Sequence, residues 1–140
     1  MKNILFMCVL NSARSQIAEG LAKNLLSKKL TICSAGSHPT TVNPLTVQVM
    51  REINIDISTY YSKNYEDLPK WFRDNLDLVV TLCFDEICPT LPYKTEHLDW
   101  PIDDPVKHDK LNNHEALIEF RKTRNQIKEK IKSLKSKIEK

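Results

Sequence analysis

No apolar run in these 140 residues approaches the roughly 20 needed to cross a membrane. The one nearest the start, Ile4 to Leu10, has seven residues. Lys2 precedes it, but Asn11, Ser12 and Arg14 follow where a secretory leader would carry a small-residue cleavage site. With no export signal the expected location is the cytoplasm, and no membrane partner is expected. Low-complexity stretches, internal repeats and linkers are also missing, so residues 1–140 read as a single domain. That length buries about two thirds of the surface an unfolded chain exposes. Cysteine is sparse, with Cys8, Cys33, Cys83 and Cys88 only. In a reducing compartment such thiols are expected to be catalytic, redox-active or buried rather than permanent cross-links. Glycine is rarer still, with Gly20 and Gly36 alone.

The composition that remains, 41% hydrophobic and 28% charged, is that of an ordinary globular protein. The formal charge of +3 is unevenly placed. Between Arg121 and Lys140 nine Lys or Arg face two Glu, a balance of +7, which leaves −4 on residues 1–120. A basic C-terminal helix of this kind matches the negative end of its own dipole and a solvated face, so no nucleic-acid partner is expected.

Strand-like and helix-like segments alternate, the pattern of a parallel sheet with helices on both faces. Ile4 to Cys8 reads as a central strand buried on both sides. Ser15 to Leu26, with Ile17, Ala18, Leu21, Ala22 and Leu25 at helical spacing, gives the first helix. Leu30 to Ser34 is the second strand. Asn43 and Pro44 cap and open a helix carrying Leu45, Val49 and Met50. A connector covers Ile53 to Tyr65, and Glu66 to Arg73 is a short third helix. Leu76 to Leu82 and His97 to Trp100 are further strands, and Asn112 to Ile138 is a long final helix. In that helix Leu117, Phe120, Arg124, Ile127, Ile131, Leu134 and Ile138 repeat in steps of three and four. Packing along the sheet is the expected use of this stripe, with a short coiled-coil dimer as the alternative.

The segment CVLNSARS lies between the first strand and the first helix. A loop ending at a helix N-terminus points amide N–H groups inward and adds the positive end of the helix dipole, which suits a tetrahedral anion. Arg14 adds a permanently charged fork for two of its oxygens. The same field favours the thiolate of Cys8, so this residue is expected to have a lowered pKa and to act as a nucleophile. Ser15 can donate its hydroxyl to the sulfur. Val9, Leu10, Asn11, Ser12 and Ala13 complete the loop; none is glycine, and Asn11 is the residue best able to take a left-handed backbone there. Cys8 also has a plain reading as a core residue ending a buried strand. The strand-loop-helix setting and the Ser after Arg14 favour the nucleophile.

These residues resemble the low-molecular-weight protein tyrosine phosphatases and the thioredoxin-coupled arsenate reductases that share their fold. The matching pieces are CVLNSARSQIAEG, CSAG at residues 33–36, NPLTVQVMREINIDIS, and LDLVVTLCFDEICPTLP followed by WPIDDP. Cys83 and Cys88 after a strand look specifically like an arsenate reductase. The resemblance implies a doubly wound four-stranded parallel sheet of order 2-1-3-4, and it implies roles. Cys8 attacks arsenate, Arg14 and the loop amides hold its oxygens, and Asp104, rather than its neighbour Asp103, is the general acid. Cys83 then attacks the sulfur of Cys8, Cys88 attacks Cys83, and thioredoxin reduces the resulting disulfide; no organic cofactor or structural metal is implied. With the first and third strands adjacent, about 4.8 Å apart, Cys8 and Cys83 end neighbouring strands at the carboxyl edge where such sheets bind ligands.

Other readings of the same residues stand beside this one. A phosphotyrosine phosphatase would use Cys8, Arg14 and Asp104 alone, and a non-enzymatic module would use the loop to sense phosphate or accept a phosphoryl group. Cys83 and Cys88 with His97 or His108 could form half a zinc site, and Asp103 and Asp104 a simple turn before Pro105. Cys33 reads as structural, and His38, His108 and His114 as surface residues. Leu10 stands where many family members have glycine, which narrows the entrance. The tyrosines that follow the DP pair in many phosphatases are replaced by Val106, Lys107 and His108. Some arsenate reductases hold a potassium ion near the loop, with Glu19 and Ser34 in matching places. Lys63 stands where an acid would help that ion, so none is expected here.

Overall fold

The computed structural model describes residues 1–84, 95–108 and 112–139. Four parallel strands form one sheet in the order β2-β1-β3-β4: β1 is Asn3–Cys8, β2 Thr31–Gly36, β3 Leu78–Thr81 and β4 Glu96–Asp99. All six residues of β1 are buried, as its continuous apolar run requires of a central strand. β4, largely exposed, is an edge strand. The helices are α1 (Arg14–Leu25), α2 (Pro44–Arg51), α3 (Lys70–Arg73) and α4 (Asn113–Ile138). No helix among the described residues is long and apolar enough to cross a membrane.

Alternation along β1 divides the core. Ile4 and Phe6 face α1 and α4, packing with Ile17, Leu21, Ile127, Ile131 and Leu134, while Phe6 also meets Trp100 at a centroid distance of 6.0 Å. Leu5 and Met7 face the other way, against Tyr65, Leu68 and Phe72. The stripe along α4 is therefore used internally, and Arg124 within it has a local purpose. Its Nη1 donates to Val49 O and to Glu52 Oε1, both at 2.8 Å, from a site only 9% exposed. The cap expected at Asn43 is made, its Oδ1 accepting Leu45 N at 2.9 Å, and Asn112 Oδ1 caps α4 in the same way by accepting Glu115 N at 2.9 Å.

Three elements differ from expectation by more than a one-residue shift at either end. The helix foreseen over 66–73 is divided into a 3₁₀ turn, Tyr65–Asp67, and α3, because Leu68, preceding Pro69, is extended (φ −75°, ψ 150°). β2 runs later than expected, ending at Gly36. β3 is shorter than Leu76–Leu82, because Asp77 is committed to the N-terminus instead. Its Oδ2 accepts the Lys2 and Asn3 amides at 2.8 and 2.9 Å.

Those two amides hold the Asp77 carboxyl below its usual range. A group whose folded-state pKa is lowered stabilises the fold above its unfolded value of about 3.9, and the contribution is lost as pH falls through the folded value. Asp77→Asn is expected to lower stability at pH 7 by at most about 1 kcal/mol, since the group is exposed to solvent. Urea melts at pH 7 and near pH 2 check this, and a difference that persisted in acid would contradict it.

Candidate active site

β1 delivers Cys8 to the carboxyl edge of the sheet, opposite Gly36 of β2. The chain then turns through Asn11, which is left-handed (φ 50°), and enters α1 at Arg14. Residues Asn11 to Ser15 are buried, and Val9 and Leu10 are half-buried.

The four carbonyls from Val9 to Ser12 are bonded to segments that wrap the loop. Val9 O accepts His38 N at 2.8 Å and Leu10 O accepts Thr40 N at 3.2 Å. Asn11 O accepts the Ser62 hydroxyl at 2.6 Å and Gln16 Nε2 at 3.1 Å. Ser12 O accepts Asn43 N at 3.1 Å and the Thr46 hydroxyl at 3.2 Å. In a planar trans peptide the following N–H points opposite to its carbonyl, so the amides of Leu10 to Ala13 turn away from those wrapping segments. The first turn of α1 continues the pattern: Ala13 at its N-cap has no capping side chain, and no acidic residue occupies the turn. A helix start of this kind, with four orphan donors, is suited to capping by an anion.

Arg14, 2% exposed, is clamped. Its Nη1 donates to Leu82 O at 3.0 Å and Ile102 O at 2.9 Å, while Nη2 lies 3.5 Å from Asp104 Oδ2. Asp104 is in turn fixed by the Val106 amide, 3.0 Å from its Oδ1. Asp103 pairs with Lys107 Nζ instead, half-exposed. The fold thus brings Asp104, and not Asp103, to the arginine.

The sulfur of Cys8 lies 2.9 Å from Ser15 Oγ. Ser15 Oγ accepts Asn11 Nδ2 at 2.6 Å, and Asn11 Oδ1 accepts Gln16 Nε2 at 2.8 Å and Lys63 N at 3.0 Å. With its amide so oriented, Asn11 donates to Ser15, which leaves the Ser15 hydrogen available to the Cys8 sulfur.

Cys83 is buried and follows directly on Leu82, whose amide extends the β1–β3 pairing to Met7 O at 2.9 Å and whose carbonyl Arg14 holds. It is disulfide-bonded, whereas Cys8 and Cys33 are free. A disulfide takes the Cys83 sulfur out of the half zinc site considered above. Cys88 lies outside the described residues, as does the His108 side chain. Cys33 sits within β2, half-buried, and burial, reinforced by Glu19, pushes its thiol up, toward the unreactive protonated form. His38 and His114 are exposed, and the exposed His97 has Nε2 3.4 Å from the Thr81 hydroxyl.

Sequence reading missed Gln16, Ser62 and Gly36. A Cβ on Gly36 would sit 2.5 Å from Val9 O and 2.9 Å from Asn11 N, both backbone atoms. Scarcity of glycine and the position just after CSA were the available signal. Gly36→Ala is expected to push the loop outward. That overpacking costs about 1–3 kcal/mol and should weaken phosphate binding at least about tenfold, as lost loop donors would. Thermal unfolding and phosphate protection of Cys8 against iodoacetamide measure both effects, and undiminished protection would refute the second.

A strand-end cysteine, a clamped arginine and a loop of inward-turned amides describe a cysteine-centred oxyanion site. The model for the low molecular weight phosphotyrosine protein phosphatase family matches residues 3–140, and the chain belongs to this family. An arsenate reductase of Halalkalibacterium halodurans is 38% identical over 134 residues, covering 94% of each chain. A solved arsenate reductase in its phosphate binding state aligns with a TM-score of 0.82 at 34% identity over 99% of both chains. The thioredoxin-dependent arsenate reductase of Corynebacterium glutamicum aligns with a TM-score of 0.63 at 28% identity, over 94% of this chain and 62% of that one.

Proposed function

We propose that this chain is an arsenate reductase whose thiol relay runs from Cys8 to Cys83 to Cys88 and is reset by thioredoxin. The observation that carries the reading is Cys83, a disulfide-bonded cysteine next to the carbonyl that Arg14 clamps. A phosphatase or a phosphate sensor has no use for it.

Arsenate occupies the loop, its oxygens facing the amides of Val9 to Ser15 and drawn by the positive charge of Arg14, whose Nη1 stays on the Leu82 and Ile102 carbonyls while Nη2 turns from Asp104 to an arsenate oxygen. The Cys8 thiolate forms a bond to arsenic while one oxygen leaves as water, protonated by Asp104. The Cys83 thiolate then attacks the Cys8 sulfur. An S–S bond forms, the S–As bond breaks, and its electron pair stays on arsenic, which departs as arsenite. Cys88 attacks Cys83, freeing Cys8 and leaving a Cys83–Cys88 disulfide. Two electrons from the thioredoxin dithiol close the cycle, which requires a disulfide potential near or above about −270 mV.

The test is arsenate-dependent NADPH oxidation with thioredoxin and thioredoxin reductase, repeated with glutaredoxin in their place. Turnover is expected with the first pair only. Equal turnover with glutaredoxin would remove thioredoxin from the proposal, and none with either would remove the relay.

A further inference from the structure

Glu19 is a carboxylate 5% exposed, on α1, outside the groups that the proposed reaction uses. Buried charge is tolerated only when paired and hydrogen-bonded. Glu19 Oε2 is met by Lys23 Nζ at 2.7 Å, while Oε1 accepts the Ser34 hydroxyl at 2.7 Å and lies 3.9 Å from Lys63 Nζ. The potassium ion that the resemblance allowed does not fit this set, because both carboxylate oxygens already face an ammonium group.

From Glu19 a continuous hydrogen-bonded chain leads to the nucleophile, its donors diverging from the Asn11 amide toward Glu19 on one side and Cys8 on the other. A carboxylate only accepts, so Ser34 spends its hydrogen on Glu19 and offers its lone pair to Asn11 Nδ2, 3.1 Å away. The other hydrogen of that amide goes to Ser15, whose own hydrogen meets the Cys8 sulfur. Lys63 touches this chain at both ends. Its ammonium faces the oxygen that holds Ser34, its amide donates to Asn11 Oδ1, and its carbonyl accepts Gly36 N at 2.9 Å. The side chain is 12% exposed and is kept in place by the Tyr61 carbonyl at 3.3 Å and the Tyr61 ring at 4.9 Å. Lys23 reaches the opposite carboxylate oxygen from a side chain 46% exposed, where water screens it.

We infer that Lys63 is a positioning residue for Cys8: its ammonium is a covalently held counter-ion at the head of the Glu19–Ser34–Asn11–Ser15 chain that ends on the sulfur. The inference rests on the reading of Cys8 as the nucleophile, and its test needs neither arsenate nor thioredoxin. Alkylation of Cys8 by iodoacetamide is followed by mass spectrometry of its peptide, in fully reduced full-length protein, with and without phosphate. Lys63→Met should slow alkylation about tenfold, the scale of one hydrogen bond to a charged group. Lys63→Arg, which keeps the charge, should stay within about twofold of the parent. The parent rate should be the same in sodium and potassium salts of equal ionic strength.

A Lys63→Met protein that alkylates at the parent rate overturns the inference, as does an arginine variant as slow as the methionine one or a parent accelerated severalfold by potassium. If Lys63→Met lacks a cooperative melt, the arginine variant and the salt series decide the matter. Failure of phosphate to protect Cys8 in the parent would instead sink the reading of the nucleophile itself.

Discussion

Cys83→Ser is expected to reduce thioredoxin-coupled arsenate turnover to background, a fall of at least about a thousandfold, because removing a covalent participant leaves no second route to the product. The same protein should still hydrolyse p-nitrophenyl phosphate through Cys8, since the loop, Arg14 and Asp104 are untouched. That split separates a relay from general damage: a misfolded variant loses both activities. Single-turnover assays with arsenate should release no arsenite from the variant. Retained turnover with thioredoxin would show that another thiol attacks Cys8, and Cys88 would be the first to examine, since burial keeps the Cys33 thiol protonated.

Arg14→Lys should lower both activities by at least about a hundredfold, the scale measured when one preorganised oxyanion donor is lost. The argument is geometric. Arg14 spends Nη1 on Leu82 O and Ile102 O while Nη2 turns toward Asp104, so one planar group ties together the residue after β3, the segment after β4 and the anion loop. A lysine ammonium is a point charge with three donors and cannot span that set. Two buried carbonyls would lose their partner, and stability should fall by about 2 kcal/mol. Urea melts report the second effect and phosphate protection of Cys8 the first. A lysine variant with activity within about tenfold of the parent would mean that the loop amides hold the anion without help.

Much of the fold was legible because its signals are local. A seven-residue apolar run, an Asn-Pro helix start and a stripe repeating every three to four residues each carry their own explanation, and they correspond to β1, α2 and α4. The 66–73 segment is not one helix because the Pro69 ring disfavours a helical residue before it, which leaves Leu68 extended. In the site, Cys8, Asn11, Arg14 and Ser15 could be read together because they are contiguous and serve one loop. Gln16, Ser62 and Gly36 could not, because none lies within CVLNSARS: the first two act by side-chain donors to the Asn11 carbonyl and Gly36 by the lack of a Cβ beside Val9 and Asn11. Asp104 was preferred to Asp103 on resemblance alone; the physical reason, a turn before Pro105 that sets Asp104 toward Arg14 and Asp103 toward Lys107, lies in the folded chain.

The outward anchoring of four successive loop carbonyls has a thermodynamic consequence. Those bonds form when the protein folds, so the ordering entropy of the cradle is already spent before any ligand arrives. Phosphate then enters a rigid receptor and buries little apolar surface. Titration calorimetry between 10 and 35 °C, taken as an approximate working range, should give a nearly flat binding enthalpy, the signature of small heat-capacity change.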